Sequence, residues 1–205
     1  MTTRTFAVAM TGASGAVYGL RLVDALTQAG HGVHLMISGP ARRVLLHEDG
    51  LEVADPPDLG MLFEHPDRIQ YHQGSAVEAA PASGSAEIEA VILCPCSMGT
   101  LGRVAHGYSS GLIERAADVA LKEGRKLILV PRETPLSLIH LENMATLARA
   151  GAILLPAMPG FYHHPESVED LVRFVVAKVL HRLGVESSWH KAWKGPEPDW
   201  EEGRA

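Results

Sequence analysis

The feature that most limits what this chain can fold into is a set of five short apolar runs. They lie at residues 5–10, 33–37, 90–93, 126–130 and 152–155. Each stops at a Gly-, Ser- or Pro-containing turn, and stretches of helical periodicity intervene. Between the first two runs, Val17, Leu20, Val23 and Leu26 recur in steps of three before Gly30, the stripe of an amphipathic helix with a glycine stop. Similar patterns predict helices over 41–48, 112–123, 137–150 and 167–183, with Ser167 and Asp170 as an N-terminal cap. Uniformly apolar strands alternating with helices require a parallel sheet covered on both faces. The expected fold is therefore α/β, a three-layer doubly wound sheet in a single domain over 1–183. Residues 50–85 read as loop and short elements. Residues 184–205 form a charged tail carrying Trp189, Trp193 and Trp200, which either covers a neighbouring active site or is loose.

Composition narrows the function classes. At 205 residues there is length for one complete core. The net charge of −6 and the lack of a Lys/Arg-rich run give no footprint for nucleic acid. No apolar run approaches the ~20 residues that span a bilayer, and the first is too short for a signal peptide. Cys94 and Cys96 cannot build a disulfide framework, and two thiols one residue apart cannot fill a tetrahedral metal site. The expectation is a cytoplasmic protein with no membrane, nucleic-acid or metal partner.

In parallel sheets ligands bind beyond the carboxyl ends of the strands. The segments found there are Thr11-Gly12-Ala13-Ser14-Gly15, Ser38-Gly39, Cys96-Ser97-Met98-Gly99-Thr100, Pro131-Arg132-Glu133-Thr134 and Pro159-Gly160-Phe161-Tyr162. Glycines, hydroxyls, an Arg-Glu pair and a tyrosine collect at one edge. The first segment precedes a helix, so its free N–H groups and close backbone suit a phosphate; a tight turn packed against a helix is the other reading. Its spacing is neither the Gly-x-Gly-x-x-Gly of dinucleotide folds nor a P-loop. Ser97 to Thr100 suit either a ligand or an ordinary helix cap. Arg132 and Glu133 are either a structural ion pair or an anion-binding and proton-handling pair. Arg115 and Lys122 share a helix face, which is ordinarily a solvated one, and Lys178 reads by itself as a surface lysine.

Six blocks in order carry a resemblance. They are residues 11–19, 94–100, 114–119, 130–135, 140–144 and 159–163, reading TGASGAVYG, CPCSMGT, ERAADV, VPRETP, HLENM and PGFYH. Together they resemble the flavin prenyltransferase family (UbiX type) from about residue 5 to residue 183. The resemblance implies a flavodoxin-like three-layer fold, a trimer-based homododecamer and no metal. It implies transfer of a dimethylallyl group from dimethylallyl monophosphate to N5 and C6 of reduced FMN. The prenylated FMN product would serve a UbiD-type decarboxylase.

Position by position, the resemblance assigns Gly12, Ala13, Ser14, Ser38, Ser97, Met98, Gly99, Thr100 and Arg132 to the flavin. It assigns Arg115, Lys122, Glu133, Tyr162, Lys178 and Ser83 to the prenyl phosphate, with some of these reaching across a subunit boundary. Ser14, Glu48, Lys122, Glu133 and Tyr162 are the implied catalytic set, Ser14 with Glu48 handling flavin protons. Lys178 stands where some relatives carry Arg, and Val77 stands where some carry an aromatic residue. Besides an aromatic-acid decarboxylase, for which no decarboxylation residues stand out, two alternatives stay open at this point. One is a flavin-dependent decarboxylase of (phosphopantothenoyl)cysteine type, against which stands the absence of a His on the first helix. The other is a non-catalytic FMN-binding module, which would leave Arg115, Lys122 and Lys178 without a use.

Overall fold

The computed structural model describes residues 2–189. Its strands are β1 (Thr5–Met10), β2 (Gly32–Ile37), β3 (Ile69–His72), β4 (Ala90–Cys96), β5 (Lys126–Pro131) and β6 (Ile153–Leu154). The helices are α1 (Ala16–Gln28), α2 (Gly39–Asp49), α3 (Leu59–Leu62), α4 (Met98–Ala105), α5 (Leu112–Lys122), α6 (Leu138–Arg149) and α7 (Val168–Leu183). All pairings are parallel, in the order β3-β2-β1-β4-β5-β6. The five runs legible in the sequence, numbered among themselves, lie in the flavodoxin order 2-1-3-4-5. The sixth strand, β3, adds beside β2 and completes the doubly wound order 3-2-1-4-5-6. The direction of winding reverses between β1 and β4, which are neighbours. Their carboxyl ends open the crevice where such sheets take ligands.

Side chains alternate across β1, and each set builds one core. Phe6, Val8 and Met10 meet Leu22, Val23 and Leu26 of α1 and Val176, Val179 and Leu180 of α7. Ala7 and Ala9 face the other way, with Leu101 of α4 and Leu112 and Ala116 of α5.

Residues 50–85, expected to be loop and short elements, contain the edge strand β3 and the short α3. Helix α2 begins at Gly39, two residues before its expected start, because the Ser38 hydroxyl accepts from the Ala41 N–H and Pro40 fits the first turn. Beyond α7, Val185 is buried and Trp189 packs against the same core, under the Arg173 guanidinium at 5.3 Å. Trp193 and Trp200, and the expectations attached to them, lie outside the described residues. Among the described residues no helix is long and apolar enough to cross a membrane, and no group of three or more His, Cys, Asp or Glu could hold a metal.

Candidate active site

Thr11 ties the two loops of the crevice together. Its hydroxyl donates to the Pro95 carbonyl at 3.0 Å and accepts from the Ser97 N–H at 2.7 Å. Its own N–H donates to the same carbonyl at 3.1 Å. The turn that follows is shaped by three glycines for three reasons. A Cβ on Gly12 would stand 2.4 Å from the Pro40 Cβ. Gly15 holds a left-handed φ of 90° at the start of α1. A Cβ on Gly19 would stand 2.4 Å from the Cys94 carbonyl oxygen.

The amino end of α1 already faces a carboxylate. Glu48, at the far end of α2, accepts from the Gly15 N–H at 2.8 Å. Burial pushes the Glu48 carboxyl up. Hydrogen bonds from the Ser14 hydroxyl and from the Gly15 and Ala16 N–H groups, with the charge of Arg132, outweigh burial and hold it below the ordinary carboxylate range. Glu48 is thus an ionised acceptor at neutral pH, with the Ser14 hydroxyl turned toward it. The same Arg132 charge opposes the burial that raises the Tyr18 phenol, so Ser14, Tyr18, Glu48 and Arg132 form one cluster. Placing an acceptor on the free N–H groups of a helix start satisfies them, and it removes the vacancy a second anion would use.

Across the crevice, Ser97 caps α4 by accepting from the Thr100 N–H at 3.3 Å, and its hydroxyl donates to Thr100 Oγ1 at 3.1 Å. Met98 and Thr100 are buried and Gly99 is exposed. Two glycines here have no positive φ and no packing demand. A Cβ on Gly39 would meet nothing within 4 Å, and one on Gly99 only an Arg103 nitrogen at 3.7 Å. Neither turn geometry nor core packing calls for glycine at these helix starts, whereas a group lying in the crevice would be crowded by a side chain there.

The edge beside Arg132 is completed from β6. The Ala157 N–H donates to the Pro131 carbonyl at 2.9 Å, bringing the 158–162 segment alongside. Tyr162 then meets the Phe174 ring edge-on at 5.6 Å, and Lys178 Nζ lies 5.3 Å from the same ring. Tyr162, Phe174, Lys178, Arg173 and Trp189 line a cavity of about 200 Å³. Cys94 and Cys96 are both buried; burial pushes the Cys96 thiol up to about 12 and the Cys94 thiol higher still. A thiol that stays protonated is a poor nucleophile.

A sequence model of the Flavoprotein family matches residues 1–180. The flavin prenyltransferase UbiX of Pseudomonas aeruginosa is 50% identical over 192 residues, covering 91% of this chain and 92% of its own. That of Methanothermobacter thermautotrophicus is 46% identical, covering 93% and 95%. The chain belongs to the UbiX flavin prenyltransferase family. Among solved structures, AnUbiX (PadA1) in complex with FMN and dimethylallyl pyrophosphate superposes with a TM-score of 0.87 at 37% identity, over 96% of this chain and all of the other. A dodecameric FMN-dependent UbiX-like decarboxylase from Escherichia coli O157:H7 gives 0.84 at 44% identity, over 93% of this chain and all of the other. The cysteine decarboxylase TvaF, at 18% identity and 0.55, shares the fold.

For a UbiX-family chain, the fold brings together only part of the expected site. Gly12, Ala13, Ser14, Ser38, Ser97 to Thr100, Arg132 and Glu133 directly follow strands at the carboxyl edge of the sheet, Glu48 reaches the same edge at Gly15, and Tyr162 and Lys178 lie against Phe174 of α7. The Glu133 carboxylate accepts from the neighbouring Thr134 N–H at 3.1 Å. Lys122 and Ser83 lie elsewhere. Lys122 ends α5 beside the amino end of β5, and there pairs with Glu123. The 83–84 carbonyls accept from Arg125 in the same region. Arg115 is exposed on α5 and pairs with Asp118 at 3.5 Å. Thr11 as a staple, Tyr18, Phe174 and Arg103 take part in this edge without having been assigned roles from the sequence. The signal for Arg103 was its distance from Ser97: a long side chain on a helix leans back over the preceding turns.

Proposed function

We propose that this chain is a flavin prenyltransferase. It joins the dimethylallyl group of dimethylallyl monophosphate to N5 and C6 of reduced FMN, releasing phosphate and prenylated FMN. The observation that carries the reading is the Ser14–Glu48–Arg132 cluster at the switch point, facing a crevice whose glycines at 39 and 99 answer to no packing neighbour. Membership of a family whose members are named for this reaction supports it.

Reduced FMN, when bound, supplies the nucleophile. The protein's work is to hold, orient and neutralise. Gly12, Ala13, Ser14, Ser38, Arg132 and the start of α4 would hold the flavin. Because the Glu48 carboxylate already sits on the amino end of α1, the first loop suits the uncharged ring better than a phosphate. Ser14 and Glu48 form a short path by which a proton can leave or reach the ring. Tyr162 and Lys178 would take the prenyl phosphate, and Glu133 would serve as a proton donor as negative charge develops on the leaving group. No protein nucleophile is needed, in keeping with thiols that burial holds protonated.

Arg115, Lys122 and Ser83 complete the phosphate site from a neighbouring copy. Lys122 and Ser83 lie at the opposite end of the sheet from the rest of the site, Arg115 is exposed on the outer face of α5, and a relative assembles as a dodecamer. The same reading makes the enzyme cytoplasmic and metal-independent, and passes its product to a UbiD-type decarboxylase. The test is to mix the protein anaerobically with reduced FMN and dimethylallyl monophosphate and weigh the released flavin. A gain of one five-carbon prenyl unit is expected. An unchanged flavin mass from FMN-loaded protein overturns the proposal.

A further inference from the structure

Arg103 and Glu114 stand out from the rest of the polar inventory. Glu114, on the first turn of α5, is nearly fully buried, with only 7% of its side chain exposed, and Arg103 Nε donates to its Oε1 at 2.7 Å. A buried carboxylate needs such a partner. The guanidinium does a second thing. Another of its nitrogens donates to Thr100 Oγ1 at 3.0 Å, and Thr100 Oγ1 in turn accepts from the Ser97 hydroxyl at 3.1 Å. The guanidinium has donors in a fixed planar fork and no acceptor. Its two bonds therefore set where Thr100 Oγ1 can sit. Ser97 is then fixed from both sides: its N–H by Thr11 at 2.7 Å, its hydroxyl by Thr100. The chain Glu114–Arg103–Thr100–Ser97 runs from the buried face of α5 to the crevice at the end of β4.

We infer that Arg103 and Glu114 are positioning residues for flavin binding. They act through Thr100 on the Ser97 hydroxyl and so on the turn that opens α4. The inference rests on the reading that this turn contacts FMN. An ion pair that served only to hold α4 against α5 would need no bond to Thr100, and would leave the hydroxyls of the crevice as they are when it is replaced by another pair.

Arg103→Lys separates the two roles. A lysine keeps a positive charge beside Glu114 but lacks the fork that serves both partners. FMN affinity is measured by titration with the full chain, together with the shape of the bound-flavin absorption bands and the melting temperature without FMN. In the parent chain Arg103→Lys is expected to weaken FMN binding about fivefold, one hydrogen bond's worth, to alter the bound-flavin bands, and to leave melting close to the parent. In a Thr100→Val background the same substitution is expected to change FMN affinity no further. Equal weakening in both backgrounds overturns the inference, because Arg103 would then act without Thr100. Unchanged FMN affinity in Arg103→Lys also overturns it. If Thr100→Val itself leaves FMN binding and bands untouched, the underlying reading of the α4 turn fails, and the inference with it. Should Arg103→Lys fold poorly, Glu114→Met, which removes the acceptor that orients the Arg103 fork, replaces it under the same outcomes.

Discussion

At the scale of single residues, the glycines show how one residue type can serve unrelated purposes within a short stretch. After the first strand, the sequence left both a phosphate-holding loop and a tight turn packed against a helix open for Gly12, Gly15 and Gly19. The fold uses them for packing against Pro40, for a left-handed turn and for packing against the Cys94 carbonyl, in that order. Gly39 and Gly99 drew less notice in the sequence, yet packing leaves both unexplained. The contrast is testable by substitution. Gly19→Ala drives a methyl to 2.4 Å from a backbone oxygen that cannot swing aside. Urea unfolding should show a loss of about 1–3 kcal/mol, the usual range for overpacking. Gly39→Ala places its methyl in open space, so stability should stay within about 0.5 kcal/mol while FMN titration shows weaker binding. If Gly39→Ala binds FMN like the parent, the crevice does not pass over Gly39.

At the scale of elements, the sequence read five of the six strands and the five longest helices because each carries its own apolar signature. It did not reveal β3, and the reason is physical. Ile69-Gln70-Tyr71-His72 is a four-residue edge strand with only Ile69 and His72 buried, too short and too polar to stand out from its surroundings. Contacts remote in sequence hold it. Tyr71 donates to Asp55 at 2.7 Å and accepts from Arg42 at 3.2 Å, while Arg42 pairs with Asp55 at 2.7 Å. On the other face, His72 Nε2 lies 2.8 Å from His34 Nδ1 of β2. That bond needs at least one neutral ring to accept. Burial holds both imidazoles below the ordinary histidine range, with the charge of His72 adding to the effect at His34. The unfolded chain therefore takes up protons before the folded one does. The stability tied to these neutral rings is fully present above the unfolded value of about 6.5 and is lost as pH falls below it. Melting curves at pH 7.5 and pH 5.5 should show the parent losing more stability on acidification than a His34→Gln/His72→Gln variant. His31 is also held low, chiefly by burial, and leaves a residual slope in both. Equal losses would mean that the pair does not carry the effect.

At the scale of the whole molecule, the candidate site is divided. The carboxyl edge of one chain offers Ser14, Glu48 and Arg132, with Tyr162 against Phe174 of α7, whereas Lys122 and Ser83 lie toward the amino ends of β5 and β4. The sequence could match all of them to one family site, because a motif match carries no information on which end of the sheet a residue occupies. The direction of α5 decides that: it returns from the carboxyl edge and delivers Lys122 beside the start of β5. Exposed Leu138 and Ile139 at the start of α6 and Met158 and Phe161 beyond β6 leave apolar surface near the carboxyl edge, as expected where another copy packs. If neighbouring chains share each site, two different defects must repair each other. Lys122→Ala and Tyr162→Phe homo-oligomers should each lose most of their prenyl transfer. Co-expressed, with mixed oligomers confirmed by native mass spectrometry, they should recover activity, because some sites then pair an intact Lys122 from one chain with an intact Tyr162 from the next. If mixed oligomers form and remain as inactive as their parents, both residues serve within one chain or Lys122 serves none, and the shared site is wrong. Recovery would also fix the smallest active unit as more than one chain, since no folded monomer can bring its own Lys122 across the sheet.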